Sequence, residues 1–165
     1  MNHNEHKQQQ FSDFIPLIII FCIIIALTLL HQLYVGWSFY SFMSDFMAFF
    51  FLIFGGFKLY NWSVFVEAFS SYDLIAQRFK LYAQLYPFIE LALGFLYLFR
   101  LHPTATNIIT LIIMIASSIS VGYALSQKNR IECACLADIF RIPLTYVSLA
   151  EDLLMAIMAL IMLLY

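Results

Sequence analysis

The chain has 165 residues, of which 64% are hydrophobic, 18% aromatic and 11% charged, with mean hydropathy +0.89 and formal net charge −2. A soluble domain carries roughly 25% charged and about 45–50% apolar residues, and a globule of this size lacks the interior to hide the excess; the same figures exclude disorder. Eight Lys and Arg against ten Asp and Glu leave no basic surface for nucleic acid, and three cysteines are too few for a secreted disulfide scaffold. The sequence therefore predicts an all-α, polytopic helical bundle with membrane lipid as its surroundings.

A spanning helix needs about 20 mostly apolar residues. After a polar leader over 1–13, holding His3, His6 and Lys7, the first such stretch runs from Phe14 to Leu33, with Pro16 in its first turn. Its apolar run is too long for a cleaved signal peptide and no small-residue cleavage site follows, so it reads as a retained anchor. Cys22, inside it, reads as packing. Residues 34–44 are aromatic and lack Lys and Arg, which suits an interfacial connection. The second span is Asp45–Tyr60, with Gly55 and Gly56 near its end. Lys58 has a possible partner in Glu90, but its position near the helix end favours snorkelling to the interface.

Residues 61–80 are amphipathic. Trp62, Phe65, Phe69, Tyr72 and Phe79 recur near helical period, while Glu67, Asp73, Gln77 and Arg78 fall elsewhere, predicting a helix on the membrane surface. The third span, Leu81–Phe99, carries Glu90 at its middle, and Tyr82, Tyr86, Glu90, Gly94 and Tyr97 share one face. An intramembrane carboxyl is a functional candidate, here for a proton relay or an ion site. Its structural alternative is a protonated Glu hydrogen-bonded between helices, near the carbonyl that Pro87 frees.

The short turn Arg100-Leu101-His102-Pro103 leads to a fourth span, Thr104–Leu125, and the fifth is Val147–Tyr165. Ser148 and Glu151 have capping-box spacing, which explains Glu151 and leaves Asp152 without a role of its own. Glu151, Met155, Met158 and Met162 form one stripe, to which Met47 and Met114 add further thioethers. Soft sulfur suits Cu(I), but a Met stripe in lipid is ordinarily packing. With the N-terminus in the cytoplasm, Lys7, Lys58, Arg78, Lys80, Lys128, Arg130 and Arg141 fall inside and only Arg100 outside, which also puts the C-terminus outside.

The strongest local chemistry is Cys133-Ala134-Cys135, after the fourth span. Two thiols one residue apart can bind a soft cation such as copper or mercury. They can also cycle through a strained, oxidising disulfide, or be inert. Lys128 and Arg130 nearby favour thiolates.

Three blocks, FFLIFGGFKL (Phe50–Leu59), YDLIAQRFKLYAQLYPFIELALG (Tyr72–Gly94) and IECACLADIFRIPLTYVSLAEDLLM (Ile131–Met155), resemble the MauE/DoxX family of redox-associated membrane proteins. The resemblance covers 43–165 and implies a four-helix membrane core there, with 14–42 an additional N-terminal transmembrane helix and its interfacial connection. It further implies a bacterial cytoplasmic membrane, and accessory thiol–disulfide chemistry in maturing a methylamine dehydrogenase beside a thioredoxin-like partner. No enzymatic activity of the chain's own is implied. Some similar proteins carry a heavy-metal-associated domain, implying instead copper or mercury handling with a metallochaperone. The positions carried over are Lys58, Tyr72, Asp73, Tyr86, Pro87, Glu90, Cys133, Cys135, Glu151 and Asp152. The family usually has Leu-Gly after the second cysteine where this chain has Leu136-Ala137, and glycine permits a left-handed turn that alanine resists.

Three functions are then open. In a thiol–disulfide component, Cys133 and Cys135 exchange electrons while Glu90 relays protons. In a soft-metal carrier, Cys133, Cys135, Met155, Met158 and Met162 are the ligands. The third is a structural subunit. The charge count puts the cysteines in a reducing cytoplasm, where stable disulfides are rare; the family resemblance places thiol chemistry first.

Overall fold

The computed structural model describes the backbone of residues 3–126 and 145–165, and side chains for 15, 17–71, 73–123, 126 and 149–165. Its elements are all helical: α1 (His3–Val35), α2 (Phe39–Tyr60), α3 (Trp62–Tyr72), α4 (Leu74–Arg78), α5 (Lys80–Leu98), α6 (Pro103–Ser126) and α7 (Thr145–Leu164). Four described segments are long and apolar enough to cross a membrane: Leu17–Val35, Phe39–Tyr60, Lys80–Leu98 and Pro103–Tyr123. The protein is a polytopic membrane helical bundle.

The expected connection at 34–44 shrinks to Gly36–Ser38. Gly36, at φ +96°, donates its N–H to the Gln32 carbonyl 3.0 Å away, a left-handed helix stop that a glycine adopts without strain. The residues that follow, expected at the interface, continue as the first turns of α2, where Ser41, Met43 and Ser44 are buried. The expected single surface helix over 61–80 is two helices broken at Asp73. The Asp73 carboxylate accepts from the N–H groups of Ile75 (2.9 Å) and Ala76 (2.7 Å), an N-cap that starts α4 and ends α3. Phe65 and Phe69 turn inward from α3, whereas Trp62 and Phe79 stay exposed. Trp62 ties α3 to α5 by donating its indole N–H to the Gln84 carbonyl at 3.3 Å.

The most extensive helix pairs are α2 with α5 and α6 with α7, with α1 laid against α2. The α2–α5 crossing is close because Gly94 has no side chain. A Cβ there would sit 2.9 Å from Leu52 Cγ and 3.2 Å from the Ala48 carbonyl oxygen, and small residues are what allow membrane helices to approach. Gly94→Val should therefore cost about 2–3 kcal/mol through overpacking, read as a lowered unfolding midpoint in detergent. The core between these helices is phenylalanine and methionine, including Phe50, Phe51, Phe54, Met47, Met114 and Met155. Phe50 and Phe54 stack at 4.5 Å between centroids.

Alternating helix directions give the bundle two ends. One gathers the last turns of α1, the first of α2 and the α5–α6 turn. The other gathers the end of α2, both short helices and the first turns of α7.

Candidate functional site

Lys58 sits in the last turn of α2, and the chain folds back at Asn61 so that α3 covers it. Phe65 and Phe69, four residues apart on one face of α3, stack on each other at 5.1 Å, and Phe69 packs on Tyr86 of α5 at 4.7 Å. With its outward path closed, Lys58 turns into the bundle. Its side chain is 9% exposed, and its Nζ lies 5.0 Å from the Tyr86 ring centroid and 5.6 Å from that of Phe65. Nζ donates to Glu90 Oε1 of α5, forming a desolvated ion pair backed by two aromatic faces. The expectation that Lys58 snorkels is thus corrected: the aromatic cover of α3 and a carboxylate within reach outweigh the nearby interface.

Opposite this pair stand α6 and α7. Ser117 donates its hydroxyl to Asp152 Oδ2 at 2.7 Å. Glu151 and Asp152 lie in the second turn of α7, because the helix begins at Thr145. Ser148 is therefore inside the helix rather than at its N-cap, and the capping-box reading of Glu151 is corrected. Instead Glu151 and Asp152 join Lys58, Tyr86, Glu90 and Ser117 around one cavity of about 30 Å³, walled otherwise by phenylalanines, Met114 and Val121. That volume exceeds the roughly 10–15 Å³ that a single water needs. Glu90 is 4% exposed, and its Oε2 has no hydrogen-bond partner among the described residues.

Five positions selected from the sequence thus meet at one place: Lys58, Tyr86, Glu90, Glu151 and Asp152. Asp73 is a helix cap. Tyr72 closes α3, and its side chain is outside the described residues, as are Cys133 and Cys135. Met155, Met158 and Met162 are buried at 0%, 9% and 5% exposure in the apolar cluster that also holds Met47 and Met114. Among the described residues no group of three or more His, Cys, Asp or Glu is placed to hold a metal ion. Cys22 is exposed on α1 rather than packed, because its position falls on the face turned away from α2.

Sequence reasoning missed Ser117, whose signal was the run of small polar residues Ser117, Ser118 and Ser120 within an apolar span. It also missed a second buried polar cluster at the other end of the bundle. Asp45, fully buried, accepts from Gln32 Nε2 at 2.6 Å and contacts His31 Nδ1 at 2.9 Å, both on α1. Arg100 reaches Asp45 Oδ1 at 3.4 Å and donates to Ser41. The Arg100 backbone is left-handed at φ 53°, a conformation that costs a non-glycine residue about 1–2 kcal/mol and that these side-chain bonds offset. Nearby, Tyr97 donates its hydroxyl to Asn107 Oδ1 at 2.8 Å. The tyrosine face of α5 is therefore divided, with Tyr82 and Tyr86 at the cavity end and Tyr97 at the Asp45 end.

A family model described as "Methylamine utilisation protein MauE" matches residues 37–165. The chain belongs to the MauE family. Comparisons with curated proteins and with solved structures give no match. The MauE region starts within the α1–α2 connection, so α2 to α7 and the whole cavity fall inside it while α1 falls outside. The Asp45 cluster straddles that boundary: His31 and Gln32 come from α1, and Ser41, Asp45 and Arg100 from the MauE region. Among the described residues, this cluster supplies the polar contact between α1 and the MauE core.

Proposed function

We propose that this MauE protein is an accessory membrane component of methylamine utilisation that supports maturation of a thioredoxin-like or substrate partner by thiol–disulfide exchange at Cys133 and Cys135. One observation carries the reading. The Lys58–Glu90 cavity is bounded by α6 and α7, the two helices joined by the connection that contains the Cys-Ala-Cys sequence. Helices that flank a dithiol and also build a buried carboxylate–ammonium site suit chemistry that moves protons with electrons.

A Cys133–Cys135 disulfide would be attacked by one thiolate of the partner, giving a mixed disulfide and one free cysteine. The partner's second thiolate then closes the partner disulfide and releases the other cysteine. Two electrons pass from the partner dithiol to the Cys133–Cys135 pair, and the two protons lost by the partner thiols are taken up by the released thiolates. The one-residue spacing strains the Cys133–Cys135 ring and makes it a labile oxidant. Glu90, with Lys58, is the group we assign to relaying those protons.

The orientation read from charge, in a bacterial cytoplasmic membrane with the N-terminus inside, belongs to the same proposal and makes the Cys133–Cys135 disulfide a transient, catalytic one, the kind a reducing compartment permits. Burial of Lys58 takes it out of that count, but Lys7, Arg78, Lys80, Lys128, Arg130 and Arg141 still oppose Arg100 alone.

The test is the redox state of the partner in cells. Cys133→Ser and Cys135→Ser are each expected to abolish partner oxidation, and one of them to trap a reductant-sensitive adduct of protein and partner. Partner oxidation at the wild-type level in both variants would refute the proposal. An impermeant maleimide applied to intact cells in a Cys22→Ser background reports which side of the membrane the pair faces.

A further inference from the structure

We infer that the cavity between Lys58, Glu90 and Asp152 binds a small monovalent cation. The inference is independent of the cysteine chemistry. It starts from Glu90 Oε2, an acceptor buried in a residue 4% exposed and without a hydrogen-bond partner among the described residues, beside a cavity of about 30 Å³. A buried acceptor left without a donor is costly, so the occupant that best suits this wall is one that brings positive charge or donors. Glu151, Asp152 and Ser117 line the same cavity, with Ser117 donating to Asp152 Oδ2 at 2.7 Å.

The remaining lining favours the same ligand class. Phenylalanine faces and Tyr86 surround the cavity, and aromatic faces attract cations, as Lys58 Nζ already shows at 5.0 Å from the Tyr86 centroid. Among the described residues, the charged and titratable groups around Glu90 are Lys58 from α2, Tyr82 and Tyr86 from α5, and Glu151 and Asp152 from α7; α3 contributes Phe65 and Phe69, and α6 Ser117. The volume excludes a large organic cation. Among the described residues no three carboxylates are placed together to chelate a metal ion, so an alkali ion would rest on Glu90 Oε2 with fewer protein ligands than a small ammonium ion, which the aromatic faces also hold; the experiment separates the two.

Purified full-length protein in detergent is heated in the chloride salts of sodium, methylammonium or N-methyl-D-glucamine at equal ionic strength and pH. Sodium or methylammonium is expected to raise the unfolding midpoint saturably by roughly 5 °C relative to N-methyl-D-glucamine, and whichever does so identifies the ligand. Glu90→Gln should abolish the shift, whereas Glu67→Gln, at an exposed position on α3, should keep it whole. If Glu90→Gln cannot be purified, Asp152→Asn takes its place and should raise the half-saturating concentration at least tenfold. Equal midpoints in all three salts, or an undiminished shift in the cavity variant that is measured, would overturn the assignment.

Discussion

Lys58→Met is expected to destabilise the bundle by about 3–5 kcal/mol, because it leaves the Glu90 carboxylate buried without its counter-charge. Glu90→Leu should cost a similar amount by stranding the Lys58 ammonium among Phe65 and Tyr86. The double variant, Lys58→Met with Glu90→Leu, should recover most of the loss, since two apolar side chains of similar volume remove both desolvation costs at once. The measurement is a double-mutant cycle on unfolding in detergent. Additive single losses would mean that the pair is not coupled in the folded protein. The cycle also separates structure from function, because the double variant should fold and yet fail to support partner maturation if Glu90 relays protons.

Asp45→Ala is the second large effect, at about 2–3 kcal/mol, the scale of lost hydrogen bonds to a charged group. Asp45 accepts from Gln32 and meets His31 and Arg100, so its removal loosens α1 from the MauE core and frees the strained Arg100 turn. Arg100 is partly exposed and can regain water, which keeps the loss below that at Lys58. Hydrogen–deuterium exchange should accelerate in the last turns of α1 and at the α5–α6 turn, while α3 and the Lys58 cavity stay protected. Asp45→Asn keeps one carbonyl acceptor and should cost less. Equal exchange in Asp45→Ala and wild type would show that α1 is held by apolar contacts alone.

These two sites also show which parts of the protein were legible in its sequence. Composition alone determined that the chain is a membrane bundle, because 64% hydrophobic residues in 165 cannot be buried in water. Hydropathy located α5, α6 and α7 to within two residues, but α1 begins at His3 rather than Phe14 and α2 at Phe39 rather than Asp45, because polar and aromatic residues extend a helix that hydropathy alone ends. The spacing of Tyr82, Tyr86, Glu90, Gly94 and Tyr97 identified the inward face of α5. Periodicity marked 61–80 as amphipathic but not its break, since Asp73 acts as a cap only where the chain bends around it. Ser148 had the spacing of a cap and lies within α7, because capping depends on where a helix starts and Thr145 starts this one earlier.

The sequence selected Glu90, Lys58, Glu151 and Asp152 as residues that a membrane keeps at a cost, and each selection was made within its own segment. Only the tertiary structure decided that they share one cavity. Lys58 is a snorkelling residue by sequence position and an ion-pair partner in the fold, and the difference is made by Phe65 and Phe69, which α3 lays over it. Met155, Met158 and Met162, spaced three and four apart along α7, share one buried cluster with Phe50, Phe51 and Phe54 of α2, far away in the chain. A sequence fixes what each side chain costs in lipid. Which partner offsets that cost depends on contacts between helices far apart along the chain, and local spacing carries no record of those.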